Sequence, residues 1–112
     1  MTGECRDYLI DVISSMEKTQ DFILNMNYED FIRDEKTVLA TIRLLEIIGE
    51  ASKRIPENIR KLNPDIPWKD MSGMRDILIH DYFGIDYETV WLTVNEKIPR
   101  ILPLIKNLAK EV

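Results

Sequence analysis

The 112 residues predict an all-α chain, with four main antiparallel helices in an up-down bundle, one short extra helix, and a last helix kinked at Pro99. Three observations carry this expectation. Apolar residues recur at spacings of three and four through most of the chain, the period of one buried helix face. No run alternates apolar and polar residues long enough to read as a strand. Asn, Asp, Gly and Pro stand where helices start and stop, and no internal repeat is visible.

The first helix is expected over residues 4–26, with Cys5, Leu9, Val12, Ile13, Met16, Ile23 and Met26 on its inner side. Asn25–Tyr28 reads as a break, with Asn27 as N-cap of a short turn, Tyr28–Ile32. A long helix follows from about Asp34 to Arg54. Its stripe is Val38, Ile42, Leu45, Ile48, Ser52 and Ile55, widened by Leu39 and Leu44. Gly49 lies inside this helix at a cost of about 1 kcal/mol relative to alanine, which marks the close approach of another backbone. The opposite side carries Arg43, Glu46, Glu50, Lys53 and Arg54. Glu46 and Glu50 are one turn apart, each near a basic residue, and a solvated charge ladder explains them without any function.

Pro56 opens a short helix, Glu57–Leu62, which Asn63-Pro64 ends. The next helix begins at Pro67-Trp68, buries Met71, Met74, Ile77 and Leu78, contains Gly73, and stops at Phe83-Gly84. Asp86 caps the last helix, which runs toward Lys110 on Val90, Trp91, Val94, Ile98, Ile101, Leu102, Ile105 and Leu108. Pro99 and Pro103 each remove a backbone donor, so a kink or break is expected near residues 95–99.

The length sets one domain, residues 1–112. With 45% hydrophobic and 31% charged residues the chain is expected to be globular, with no membrane span and no export signal. Cys5 is the single cysteine, so neither a disulfide framework nor a cysteine metal site is expected, and a cytoplasmic location is the default. The formal net charge of −5 argues against nonspecific nucleic-acid binding. An acidic chain can hold RNA only through a local positive cleft.

The candidate chemistry lies in Ser72–Phe83, which holds the only histidine, His80, with Arg75 before it and Tyr82 after it. There is no phosphate loop of the P-loop type and no Gly-x-Ser-x-Gly elbow. One histidine and one cysteine do not make a typical zinc site, and Glu46 and Glu50 lack the Glu-x-x-His partners of a di-iron bundle. No metal and no cofactor is expected. Arginine plus histidine suits RNA cleavage by the 2′-hydroxyl, with imidazole as general base and guanidinium on the phosphorane. On an ideal helix Arg75 and His80 stand about 140° apart, whereas Asp76 and His80 share a face. Either the helix unwinds before His80 or two chains pool their residues in a two-fold dimer. Spacing alone also leaves a structural reading open, with His80 as a helix cap and Arg75–Asp76 as surface charges.

The chain resembles the HepT-like branch of the HEPN (higher eukaryote and prokaryote nucleotide-binding) superfamily. Its motif, Arg-x4-His-x-Tyr, reads here Arg75-Asp76-Ile77-Leu78-Ile79-His80-Asp81-Tyr82. Leu45–Ala51, Pro67–Met74 and Tyr87–Trp91 followed by Ile98-Pro99 also look like the family. The resemblance implies a metal-independent endoribonuclease, the toxin of a toxin–antitoxin module, whose partner is a minimal nucleotidyltransferase (MNT) antitoxin. It implies Arg75 and His80 as the catalytic pair at a homodimer interface, and Tyr82 as the residue that the partner adenylates. Asp76 is then a candidate for orienting His80, and Glu46 and Glu50 for lining the cleft. Substrate attraction would come from Arg75, with Lys69, Arg43 or Lys53 as further candidates. The competing reading is a non-enzymatic helical adaptor that binds a nucleotide or the transferase partner.

Overall fold

The computed structural model describes residues 3–76 and 84–112, and within them every regular element is helical. The order is α1 (Gly3–Phe22), α2 (Tyr28–Arg33), α3 (Glu35–Lys53), α4 (Glu57–Leu62), α5 (Trp68–Gly73) and α6 (Tyr87–Leu92). A π-helical segment (Thr93–Lys97) then leads into α7 (Ile98–Lys110). Among the described residues no helix is long and apolar enough to cross a membrane.

Helix α1 buries Cys5, Leu9, Val12 and Met16 as its period requires. It stops at Phe22, earlier than expected, because the chain then turns through Asn25 at φ 66. Asparagine tolerates that left-handed conformation better than other residues that carry a Cβ. The turn closes with the Met26 N–H on the Ile23 carbonyl at 2.9 Å. Asn27 then caps α2 in a reciprocal box: its Oδ1 accepts from the Asp30 N–H at 2.8 Å, and Asp30 Oδ2 accepts from the Asn27 N–H at 3.2 Å. Asp34 closes α2 with its own N–H on the Phe31 carbonyl, and opens α3 by accepting from the Thr37 N–H at 3.1 Å.

Helix α3 is the centre of the packing, lying against α1, α2 and α5, while α7 covers another side of α1. Val38, Ile42, Leu45 and Ile48 are buried as expected, and the Ser52 hydroxyl is satisfied by donating to the Ile48 carbonyl at 2.6 Å. Leu39 does not widen the stripe. It is 51% exposed, because it falls on the outward side of the helix between Val38 and Ile42. Trp68 fixes the start of α5 by donating its indole N–H to the Asn63 carbonyl at 3.0 Å.

The expected break before Pro99 is present, in the form of a widened turn. The Ile98 N–H bonds the Thr93 carbonyl five residues back, and Pro99 sits in the first turn of α7. Proline has no N–H for the fourth carbonyl back, and the extra residue of a π turn absorbs that mismatch. Thr93 adds to it by donating its hydroxyl to the Thr89 carbonyl at 2.7 Å. The last of the expected helices is therefore three joined pieces. Asp86 caps its first piece as expected, accepting from the Thr89 N–H at 3.1 Å and from the Thr89 hydroxyl at 2.7 Å. The third expected helix is regular from Trp68 to Gly73 and then tightens, with the Met74 N–H on the Met71 carbonyl at 3.2 Å. His80 and Tyr82 lie outside the described residues.

Candidate functional site

Arg75 follows α5 directly, and α3 decides where it stands. A Cβ built on Gly49 would lie 2.8 Å from both the Arg75 Cβ and the Arg75 backbone nitrogen, and 3.0 Å from the Ser72 carbonyl oxygen. No real Cβ occupies such a position, so only glycine lets the Ser72–Arg75 backbone rest on α3. The backbone that Gly49 was expected to admit is thus the one that carries Arg75. The contact sets the guanidinium beside Glu50, the next residue on α3, with Nε 3.9 Å from Oε1. Both side chains are nearly half exposed, so this loose pair orients the arginine more than it stabilises the fold.

Around the pair lies a cleft of about 410 Å³ lined by Glu50, Lys53, Arg54 and Arg75. Among the described residues three cations face one carboxylate there, in a chain whose net charge is −5. Lys53 and Arg54 come from the C-terminal end of α3, where positive side chains complement the helix dipole. That dipole accounts for two basic residues at this end. It does not account for Arg75, which arrives from another element and turns a helix terminus into a cleft. A guanidinium offers paired donors in a fixed plane and an ammonium offers a mobile point charge, a combination suited to a phosphodiester.

The other expected site residues are distributed as follows. Glu46 is held on its own helix by Arg43, with Nη1 to Oε2 at 3.0 Å, and neither residue lines the Arg75 cleft. Asp76 is partly buried beside Arg75, and its expected partner His80 is outside the described residues. Lys69 lines a separate depression of about 260 Å³ with Lys97, Thr89 and Thr93, so of the three supporting cations expected only Lys53 joins Arg75. Among the described residues no three His, Cys, Asp or Glu side chains gather as metal ligands. Arg54 was visible in the sequence only as part of the charged ladder. Its guanidinium carbon also stands 5.9 Å from the centre of the Tyr8 ring, a contact set by α1–α3 packing that no local pattern announces.

The sequence profile of the family described as "Ribonuclease HepT-like" matches residues 12–108. A protein of Thermococcus cleftensis named "Probable ribonuclease HepT" is 48% identical over 105 residues, covering 94% of this chain and 96% of its own. A protein of Methanocaldococcus jannaschii named as a putative RNase is 43% identical over 109 residues, covering 97% and 90%. Another of that description, from Caldanaerobacter subterraneus, is 37% identical over 106 residues, covering 95% of each. No solved structure gives a significant match. The match over nearly the whole length, at these identities, places the chain in the ribonuclease HepT-like family.

Proposed function

We propose that this protein is a metal-independent endoribonuclease, with Arg75 and His80 as its catalytic pair across a homodimer interface. The observation that carries the reading is the cleft at Arg75, where among the described residues three cations stand against one carboxylate in an acidic chain, in a member of a family whose relatives are named ribonucleases. It is the local positive site that an acidic RNA-cleaving chain needs.

In this mechanism the imidazole of His80 takes the proton of a ribose 2′-hydroxyl, whose oxygen attacks the adjacent phosphorus. The bond to the 5′-oxygen breaks, and that oxygen takes a proton from the His80 of the second protomer. The products are a 2′,3′-cyclic phosphate and a 5′-hydroxyl. Arg75 stabilises the negative charge gathered on the phosphorane oxygens. Glu50 engages the guanidinium at Nε, which leaves the two terminal nitrogens for the phosphate.

The protein acts as the toxin of a toxin–antitoxin module, and its MNT nucleotidyltransferase partner silences it by adenylating Tyr82. The added phosphate charge and bulk two residues from His80 would repel an RNA backbone. Purified protein in EDTA is expected to cut RNA and leave cyclic phosphate ends, with Arg75→Ala and His80→Ala inactive. Cleavage surviving in both variants would overturn the assignment of the pair. RNA binding with no cleavage by the unmodified dimer would favour the adaptor reading. Coexpression with the partner is expected to add adenylate mass, lost in Tyr82→Phe.

A further inference from the structure

Arg54 is the shared wall of three adjoining depressions. One is the Arg75 cleft. A second, of about 280 Å³, is lined by Glu4, Cys5, Tyr8, Arg54 and Pro56. A third, of about 140 Å³, brings Tyr8 and Asp11 of α1 against Ile47, Glu50 and Arg54 of α3. Their shared residues, Glu50 and Arg54 between the first and third and Tyr8 and Arg54 between the second and third, set them side by side as a groove from Arg75 past Arg54 to Tyr8. The step is short, because Glu50 touches Arg75, Arg54 lies one helical turn beyond Glu50, and Arg54 touches Tyr8.

The groove changes character along its length. At the Arg75 end, Lys53, Arg54 and Arg75 outnumber Glu50. At the other end an aromatic ring lies beside the carboxylates Glu4 and Asp11, and the Tyr8 hydroxyl donates to Glu4 Oε1 at 3.1 Å. A phosphate suits the first end and is repelled by the second. A nucleobase suits the second, because its flat face stacks on the ring and its amino groups can donate to the carboxylates. This alternation of cation and aromatic is how single strands are held.

We propose that a single-stranded RNA crosses this groove with one backbone phosphate over Lys53, Arg54 and Arg75 and the adjoining base stacked on the Tyr8 ring. The proposal rests on the ribonuclease reading of the Arg75 cleft and adds to it a base-binding subsite made by α1. The Arg54 guanidinium, which lies over the Tyr8 ring at 5.9 Å, turns to the phosphate as the base takes its place on the ring. Bases with exocyclic amino groups are favoured over uracil at this position.

The test uses the full chain and a single-stranded 2′-O-methyl oligonucleotide, which cannot be cleaved by its own 2′-hydroxyl. Tyr8→Leu keeps apolar bulk without the ring and is expected to weaken binding about tenfold, while Tyr8→Phe stays close to the parent. A 2-aminopurine in the strand is expected to be quenched on binding by the parent and by Tyr8→Phe, but not by Tyr8→Leu. If Tyr8→Leu does not fold, the unaltered protein still decides the matter, since an abasic site at the stacked position is expected to cost about the same tenfold. Binding within twofold for Tyr8→Leu and for every abasic strand would overturn the subsite. Cleavage of ordinary RNA is scored separately. Cleavage together with Tyr8-independent binding removes the subsite alone, whereas Tyr8-dependent binding without cleavage keeps the subsite and removes the ribonuclease reading.

Discussion

Glu46 and Glu50 occupy successive turns of the same helix and have different surroundings. Glu46 pairs with Arg43, three residues back on α3, and the pair stays on the surface of its own helix. Glu50 pairs across to Arg75, which a different element delivers. Gly49 makes the difference. It removes the one Cβ that would hold the Ser72–Arg75 backbone away, so one rung of a charged ladder becomes the wall of a cleft. A charge ladder in sequence is thus compatible with both a solvated face and a site, and the small residue beside a rung decides between them.

The largest expected effect comes from closing that gap. Gly49→Ala places a Cβ at 2.8 Å from two Arg75 atoms, one of them backbone, so α3 and the Arg75 segment must separate. Overpacking of this kind costs about 1–3 kcal/mol, against about 1 kcal/mol returned by the helix preference for alanine. Net destabilisation with loss of RNA cleavage is expected, read from urea midpoints and an activity assay. Gly73→Ala is the control, because no described atom lies within 4 Å of its built Cβ. It should be neutral or stabilising by up to about 1 kcal/mol.

Substituting the two glutamates sharpens the comparison. Glu50→Gln removes the one carboxylate that lines the cleft among the described residues and is expected to tighten RNA binding roughly two- to fivefold, the scale of an exposed charge contact. Glu46→Gln should leave binding within twofold. Both should change stability by no more than about 0.5 kcal/mol, since neither side chain is buried. Equal effects on binding would mean that the two rungs are equivalent after all.

The smallest effect concerns the far end of α3. Asp34 holds its carboxyl below the usual range, chiefly because it accepts the Thr37 backbone N–H, and Asp86 does the same through the Thr89 hydroxyl and N–H. A depressed carboxyl stabilises the fold fully above its unfolded pKa, near 3.9, and loses that contribution as pH falls through the folded value. Melting temperature followed from pH 6 down to 2 should therefore fall less steeply in Asp34→Ala than in the parent. Its RNA binding at neutral pH should be unchanged.

The period of the apolar residues made most of this fold legible. Asn27 and Asp86 announced two helix starts, and Pro99 announced the break that the Thr93–Lys97 turn fills. Leu39 misled because a three-four spacing fits two adjacent stripes, and only the neighbouring helices decide which is inner. Arg75 stood out through its spacing to His80, and Gly49 through its cost inside a helix. Arg54 and Tyr8 could not be paired from sequence, since they belong to helices whose packing brings them together from 46 positions apart. Lys69 and Arg43 were chosen by charge alone, and charge does not say which face of a fold a side chain reaches.

In the proposed function the cations around Glu50, and not the one beside Glu46, hold the RNA backbone. The salt dependence of binding to an uncleavable single strand tests it most directly, because each phosphate contact contributes to the slope of log K against log salt. Arg75→Ala, Lys53→Ala and Arg54→Ala are each expected to reduce the magnitude of that slope by about 0.7, and Arg43→Ala to leave it unchanged. An unchanged slope in Arg75→Ala, or an equal loss in Arg43→Ala, would mean that the RNA backbone does not lie on the Arg75 cleft.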